Sequence, residues 1–291
     1  MAGQAKPTVR SRQVSSELRR LRRARGLTTG DVGSALGVSQ SKISRIENSQ
    51  LGLHLEEVAA MLGLYHVSFT RREEILDMVR QAGKPGWVEV HGRGLSEQWK
   101  ALIDFEKMAT ALWNYEPFVV PGLLQTPDYA RAVIQMTDVR QRTDAEIETM
   151  VAARLDRQRI LSRPLGADLQ VLLYEPVLRM PVGGYAVLAA QLRHLAEVCR
   201  RSRVSVHVVP VAAGAHPGLE SPFVIMEFES YSTLVYLENK VLSVFLEEEP
   251  HIDAYQLAWE AILASALSAQ QSAEFIGQIV NEVTRQAKES T

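Results

Sequence analysis

Residues 28–48 constrain the fold more than any other stretch of the chain. Their sequence, TTGDVGSALGVSQSKISRIEN, has apolar residues at helical spacing in both halves, as at Ile43 and Ile46. Gly37 stands between the halves, where the end of a helix needs left-handed backbone and a Cβ would be penalised. The stretch therefore predicts two short helices joined by a tight turn, a geometry that fits the DNA major groove.

The outer face of the second predicted helix carries side chains suited to reading base edges. Glutamine can bond adenine, and lysine or arginine can bond guanine, whereas hydroxyl groups accept or donate to either. The candidates for base contacts are Gln40, Ser41, Lys42, Ser44 and Arg45. The candidates for phosphate contacts are Thr29, Ser39, Asn48 and Arg19. We expect the first group to give sequence discrimination and the second to position the domain.

The charge of the chain is divided unevenly along its length. Residues 1–50 contain ten Lys and Arg against three Asp and Glu, a balance of +7, so that the rest of the 291-residue chain carries −9. A basic end on an acidic body suits DNA binding by that end alone. A solvated basic tail is the alternative, but it does not explain why the excess coincides with the predicted two-helix unit.

The segment LRRLRRARGLTTGDVGSALGVSQSKISRIEN resembles the repressor/Cro-like helix-turn-helix of the xenobiotic-response-element family of bacterial regulators. The resemblance covers Val14 to about Leu64. The apolar spacing of the flanking segments predicts further helices, so we expect an all-α DNA-binding domain of five helices over residues 1–82. The resemblance also implies that Arg22 pairs with Glu47, the alternative being that both are solvated surface charges. The first residues, Met1 to Arg12, are predicted to be disordered when free.

The remainder predicts a linker at 83–94, rich in glycine, and a second domain at 95–291. Its pattern predicts a helix over 96–113, a long helix over 144–163 with a solvated arginine face, and a strand, helix and strand from residue 169 to 209. We expect an α+β fold with a small mixed sheet of about four strands and flanking helices.

Several segments of this second domain carry a further resemblance. They are VPGLLQTPDYARA, RLDRQRIL, YEPVLRMPVGG, QLRHLAEV and VSVHVVPVAAGAHPGLESPFVIMEF. They are similar to the domain of unknown function that follows such a helix-turn-helix in antitoxin-like, WhiJ-like regulators of actinobacteria. The resemblance implies a transcription factor that works with a small acidic partner protein encoded nearby. Nothing in the residues themselves encodes that partner.

Other function classes find little support. The chain lacks the G-x-S-x-G, H-E-x-x-H, C-x-x-C and G-x-x-x-x-G-K-[ST] motifs, so we expect no enzyme, cofactor or metal site. His216 and Glu220 lie on a Gly/Pro-rich loop that either lines a small pocket or faces water. The single cysteine fits a reducing cytoplasm, and no apolar run is long enough for a membrane span.

These observations predict a cytoplasmic, sequence-specific DNA-binding transcriptional regulator. One small domain buries too little surface to bind tightly, so a homodimer on double-stranded DNA with half-sites roughly 34 Å apart is expected. The second domain would dimerise, bind a partner or sense an effector. Two alternatives remain at this point: an antitoxin-like protein-interaction module with secondary DNA binding, and a ligand-gated sensor.

Overall fold

The computed structural model describes residues 7–84, 86–90, 97–137, 142–163, 166–229, 231–240 and 242–289. These residues fall into two compact units. Unit 1 contains the described residues up to Asp104 together with 231–234 and 239–252. Unit 2 contains 105–229, 235–238 and the described residues from 253 onward. The domain boundaries 1–82, 83–94 and 95–291 stay a prediction.

Unit 1 begins with five α-helices, as predicted. They are α1 (Val9–Ala24), α2 (Thr29–Leu36), α3 (Gln40–Glu47), α4 (Leu55–Leu64) and α5 (Phe69–Arg80). One hydrophobic core joins them, and it includes Leu18, Val32, Ile43 and Leu62, each at most 1% exposed. Burial of these apolar side chains is the main force that holds the short helices, which would be marginal alone.

The start of α1 corrects the prediction for the N-terminal segment. The expected disordered tail reached Arg12, but the helix starts at Val9, and both residues are buried. Thr8 acts as the N-cap, since its hydroxyl accepts a hydrogen bond from the Ser11 amide at 3.3 Å. Residues 1–6 lie outside the described part of the chain.

The chain continues through seven strands and six further helices in the described residues. In order they are β1 (Trp87–Val90), α6 (Glu97–Met108), β2 (Ala111–Glu116), α7 (Pro127–Thr137), α8 (Asp144–Arg157), β3 (Asp168–Tyr174), α9 (Tyr185–Val198), β4 (Val204–Val209), β5 (Phe223–Glu227), β6 (Leu234–Glu238), β7 (Leu242–Leu246), α10 (Glu249–Ala264) and α11 (Ala269–Glu289).

Part of the predicted linker at 83–94 is a strand. Within unit 1, β1 pairs antiparallel with β7, so that Trp87 lies opposite Phe245 and Val90 lies opposite Leu242. The paired residues lie more than 150 positions apart in sequence. Such non-local pairing cannot be recognised from the glycine-rich composition of this segment. The rest of the predicted linker, residues 91–94, lies outside the described part of the chain.

Unit 2 contains five strands in the order β6, β5, β2, β3, β4. β2 is parallel to β3 and β3 is parallel to β4, whereas β2 is antiparallel to β5. The predicted α+β fold with a mixed sheet is therefore confirmed, including the β3–α9–β4 crossover unit. The expected number of about four strands was too low, because β2 occupies residues that were predicted as the end of a helix.

Helices cover this sheet with apolar and aromatic side chains. The Trp113 ring of β2 stacks on the Trp259 ring of α10, with the centroids 5.7 Å apart. Ile276 and Ile279 of α11 are fully buried. Among the helices that the structure describes, none combines the length and apolarity that a membrane crossing requires.

Candidate nucleic-acid interface

The turn between α2 and α3 is built from backbone that only small residues permit. Gly37 follows α2 with φ 68° and ψ 28°, which is left-handed. The Val38 amide then donates to the Gly33 carbonyl at 2.9 Å. A Cβ at Gly33 would lie 2.7 Å from the Val38 carbonyl oxygen, so this glycine allows α2 to approach the turn closely. Together these features fix the angle at which α3 leaves the turn.

Both helices of the motif begin with side-chain caps. Thr28 and Asp31 form a capping box on α2: the Thr28 hydroxyl accepts from the Asp31 amide at 3.1 Å, and the Asp31 carboxylate accepts from the Thr28 amide at 2.8 Å. These hydrogen bonds hold the pKa of Asp31 below its ordinary value. On α3, the Ser39 hydroxyl accepts from the Lys42 amide at 3.2 Å. Ser39, predicted as a phosphate contact, is thus also the N-cap of the second helix.

Arg22 of α1 and Glu47 of α3 form a bidentate ion pair inside unit 1. Nε and Nη2 of Arg22 donate to the two carboxylate oxygens at 2.7 and 2.8 Å. The side chains are only 11% and 2% exposed, and Arg22 Nη1 also donates to the Leu27 carbonyl at 2.7 Å. The hydrogen bonds to Glu47 raise the pKa of Arg22. The pair joins the last turn of α3 to α1 and so orients the helix.

The five predicted base-reading residues differ in how freely they face outward. Gln40, Ser41 and Arg45 are exposed, whereas Lys42 and Ser44 are half-buried. The Lys42 ammonium forms an ion pair with Glu57 of α4. This contact, which sequence reasoning missed, keeps one of the predicted readers engaged within the protein.

The predicted phosphate contacts are partly brought together at the end of α3. Arg19 of α1 donates through Nη2 to the Glu47 carbonyl and to the Asn48 side-chain oxygen. The Asn48 side-chain amide in turn donates to the Ser44 carbonyl at 2.8 Å. Arg19 and Asn48 therefore cap the C-terminal end of α3, while Thr29 lies half-buried at the start of α2. Their contacts with DNA stay a prediction.

The possible pocket residues of unit 2 have different environments. His216 is only 8% exposed and its Nδ1 accepts from the Gly218 amide at 3.2 Å, whereas Glu220 is exposed. Desolvation lowers the pKa of His216. The His216 ring packs edge-on against Tyr115 and Tyr174, with centroids 6.1 and 5.3 Å apart. A pocket at this loop stays a prediction.

Unit 2 also contains a buried charged cluster where the sequence predicted a solvated arginine face. Arg157 of α8 lies 2.7 Å from Glu106 of α6, with side chains 10% and 2% exposed. Arg154 donates to the Gln125 side-chain oxygen at 2.8 Å. Desolvation lowers the pKa of Arg154 to about 10 and raises the pKa of Glu116 to about 8. The prediction was wrong for these two arginines because their partners come from distant parts of the chain.

Comparison with known protein families assigns both parts of the chain. Residues 13–75 match a family described as Helix-turn-helix domain. Residues 99–278, more than half of the chain, match the family described as Domain of unknown function (DUF5753). The helix-turn-helix match supports DNA binding by the N-terminal part of unit 1.

One similar solved structure is that of TrmBL2, described as an archaeal chromatin protein with a novel mode of DNA binding. It shares 11% sequence identity, the match covers 79% of this chain and 72% of that chain, and the TM-score is 0.31, too low to carry an argument. The comparison with curated proteins found no match.

Proposed function

The chain belongs to the family described as Domain of unknown function (DUF5753), and we propose that it is a sequence-specific DNA-binding transcriptional regulator of the repressor/Cro type. The observation that carries the proposal is the outward face of α3. Gln40, Ser41 and Arg45 are exposed there on a helix whose two ends are capped and whose orientation is fixed by a buried ion pair. Preorganised hydrogen-bonding side chains of this kind are what major-groove reading requires.

The two kinds of contact have distinct roles in this proposal. Gln40 and Arg45 read base edges, and each bidentate contact is worth about 1–3 kcal/mol of discrimination against a wrong base. Lys42 joins them when its ion pair with Glu57 opens on the DNA. Arg19 and Asn48 hold the C-terminal end of α3 beside the phosphate backbone.

A genomic pull-down tests the proposal. The full-length protein is mixed with fragmented DNA of its host, and the recovered fragments are sequenced. We expect the wild-type protein to enrich a short palindrome. Arg45→Ala should weaken this enrichment, and Gln40→Ala should make the protein discriminate less between the palindrome and other sequences. Arg200→Ala, at an exposed arginine of unit 2, is the matched control because it removes the same charge outside the helix-turn-helix. Equal loss in both arginine variants would mean that net charge alone governs binding.

We further propose a cytoplasmic homodimer in which the C-terminal domain carries the dimer contact and binds a small acidic partner protein. The support is the small size of a single helix-turn-helix domain and the resemblance to antitoxin-like, WhiJ-like regulators. Sedimentation with a palindromic duplex measures the stoichiometry, and two chains per duplex are expected. Mass spectrometry of proteins that co-purify from the host tests the partner.

A further inference from the structure

The far end of α3 receives a hydrogen bond from a residue 183 positions away in sequence. The hydroxyl of Tyr231, which lies between β5 and β6, donates to the Asn48 carbonyl at 2.8 Å. Tyr231 belongs to unit 1 together with the five N-terminal helices. The contact therefore joins the proposed recognition helix to a segment that follows it by most of the chain.

The last carbonyl groups of a helix have no hydrogen-bond donor within the helix itself. With the bond from Tyr231, each carbonyl at the end of α3 accepts a hydrogen bond. The Ser44 carbonyl accepts from the Asn48 amide at 3.0 Å, and the Arg45 carbonyl accepts from the Gln50 amide at 2.8 Å. The Ser49 amide donates to the Ile46 carbonyl at 3.1 Å. The Glu47 carbonyl accepts from Arg19. The Tyr231 hydroxyl donates to the next carbonyl in the chain, that of Asn48.

The Tyr231 ring is itself held in place by α1. The Arg12 guanidinium carbon lies 4.8 Å from the ring centroid, a cation–π distance. Arg12 is 2% exposed and donates to the Ser232 carbonyl at 3.2 Å and to the Pro7 carbonyl at 3.1 Å. Removal of the tyrosine hydroxyl alone would leave this ring packing intact.

A second contact ties the same region to the start of α1. The Glu247 carboxylate accepts from the Val9 amide at 2.9 Å and from the Gly86 amide at 2.8 Å. The segments 231–234 and 239–252 thus make directed polar contacts at both ends of the α1–α3 assembly. A segment that only followed the DNA-binding domain in sequence would not be expected to form hydrogen bonds with the ends of its helices.

We propose that Tyr231 is a positioning residue for DNA reading, which fixes the C-terminal end of α3 so that the reading side chains keep their orientation. The inference rests on the proposed function. Arg45 lies three residues before Asn48, so that a change of position at the Asn48 carbonyl moves this reader directly. A protein whose reading conformation is only partly populated binds its specific site more weakly by that fraction.

The test compares full-length Tyr231→Phe with the wild-type chain. Fluorescence anisotropy measures the affinity for a duplex recovered in the genomic pull-down and for a scrambled duplex of equal length and composition. We expect the ratio of the two affinities to fall by about two- to tenfold, the range that corresponds to one net hydrogen bond. Amide exchange of the peptide covering 44–50 should become faster in the same variant.

Tyr129→Phe is the matched control because it also removes a hydroxyl that makes a described hydrogen bond, with the Val120 amide at 3.3 Å, but in unit 2. It should leave both the affinity ratio and the exchange of residues 44–50 unchanged. A purely structural role for Tyr231 would lower the unfolding temperature with an unchanged ratio, and that result would overturn the inference. Absence of specific binding by the wild-type chain would overturn the proposed function itself.

Discussion

The buried pair of Arg22 and Glu47 gives the sharpest prediction about stability. Glu47→Gln leaves the guanidinium without its carboxylate in a site where the arginine side chain is 11% exposed and the glutamate side chain is 2% exposed. Removal of one partner of a buried ion pair costs about 3–5 kcal/mol. We expect the lower end, about 3 kcal/mol, because Arg22 keeps some solvent and its bond to the Leu27 carbonyl.

Hydrogen exchange followed by mass spectrometry measures this loss in the full chain, since peptides from α1 to α5 report the local free energy of opening. The double variant Arg22→Met with Glu47→Leu should recover most of the loss, because an apolar pair of similar size has no unpaired charge to bury. Glu282→Gln is the matched control: its pair with Arg179 is about half exposed on both sides, and exposed pairs contribute only about 0–1 kcal/mol. A double variant as unstable as the single one would refute the reasoning.

Three further changes test the local geometry. Glu57→Gln releases the Lys42 ammonium, so the affinity for non-specific DNA should rise by up to about fivefold in anisotropy titrations. Gly33→Ala places a Cβ against the Val38 carbonyl and should destabilise unit 1 by about 1–3 kcal/mol, measured by exchange in α2 and α3. Burial raises the pKa of Glu116 from 4.5 to about 8, so the folded state keeps a proton that the unfolded chain releases. Its contribution to stability is present below about pH 4.5 and is lost as the pH rises to about 8, by up to about 1.4 kcal/mol per pH unit. Glu116→Gln should flatten this decline in urea denaturation between pH 5 and pH 8.

Each of these changes has a control that makes the same type of substitution at a position without the contact being tested. Glu56→Gln removes the same charge from an exposed neighbouring residue, and an equal gain in affinity there would show that Lys42 is not specifically released. A Cβ at Gly63 would meet no atom within 4 Å, so Gly63→Ala should be neutral or stabilising. Glu260→Gln changes an exposed carboxyl of α10, and a matching pH response in that variant would contradict the assignment to Glu116.

The helix-turn-helix could be predicted from sequence because its determinants are local. The left-handed backbone of Gly37, the close approach at Gly33 and the Ser39 cap all arise between residues that lie within seven positions of one another. Each is a steric or hydrogen-bonding requirement that only a few residue types meet. The same holds for the start of α7, where Thr126 accepts from the Tyr129 amide at 3.4 Å.

The errors lie where distant residues decide the structure. Residues 96–113 have an apolar spacing that suits a helix, yet Ala111 to Trp113 pair with β3 on one side and with β5 on the other. Short apolar segments are compatible with both the helix period and the strand period, and pairing with the neighbouring strands decides which structure forms. Local sequence holds no signal for a strand partner that follows after more than fifty residues.

The ion pairs of some arginines also depend on distant residues. Such pairs reduce the positive charge that the N-terminal part of the chain offers to DNA. The balance of +7 in residues 1–50 favours DNA binding by one end of the chain. Two of those cations are buried inside the protein: Arg12 is 2% exposed, and Arg22 pairs with the buried Glu47. Arg20 and Lys42 also pair with carboxylates, but these pairs are partly exposed and can open on DNA. Charge that is neutralised within the fold releases no counterions from DNA. The count from sequence therefore overstates the electrostatic part of binding, so that the weight of the proposed function rests on the geometry of α3 and on the exposed Arg45 rather than on net charge.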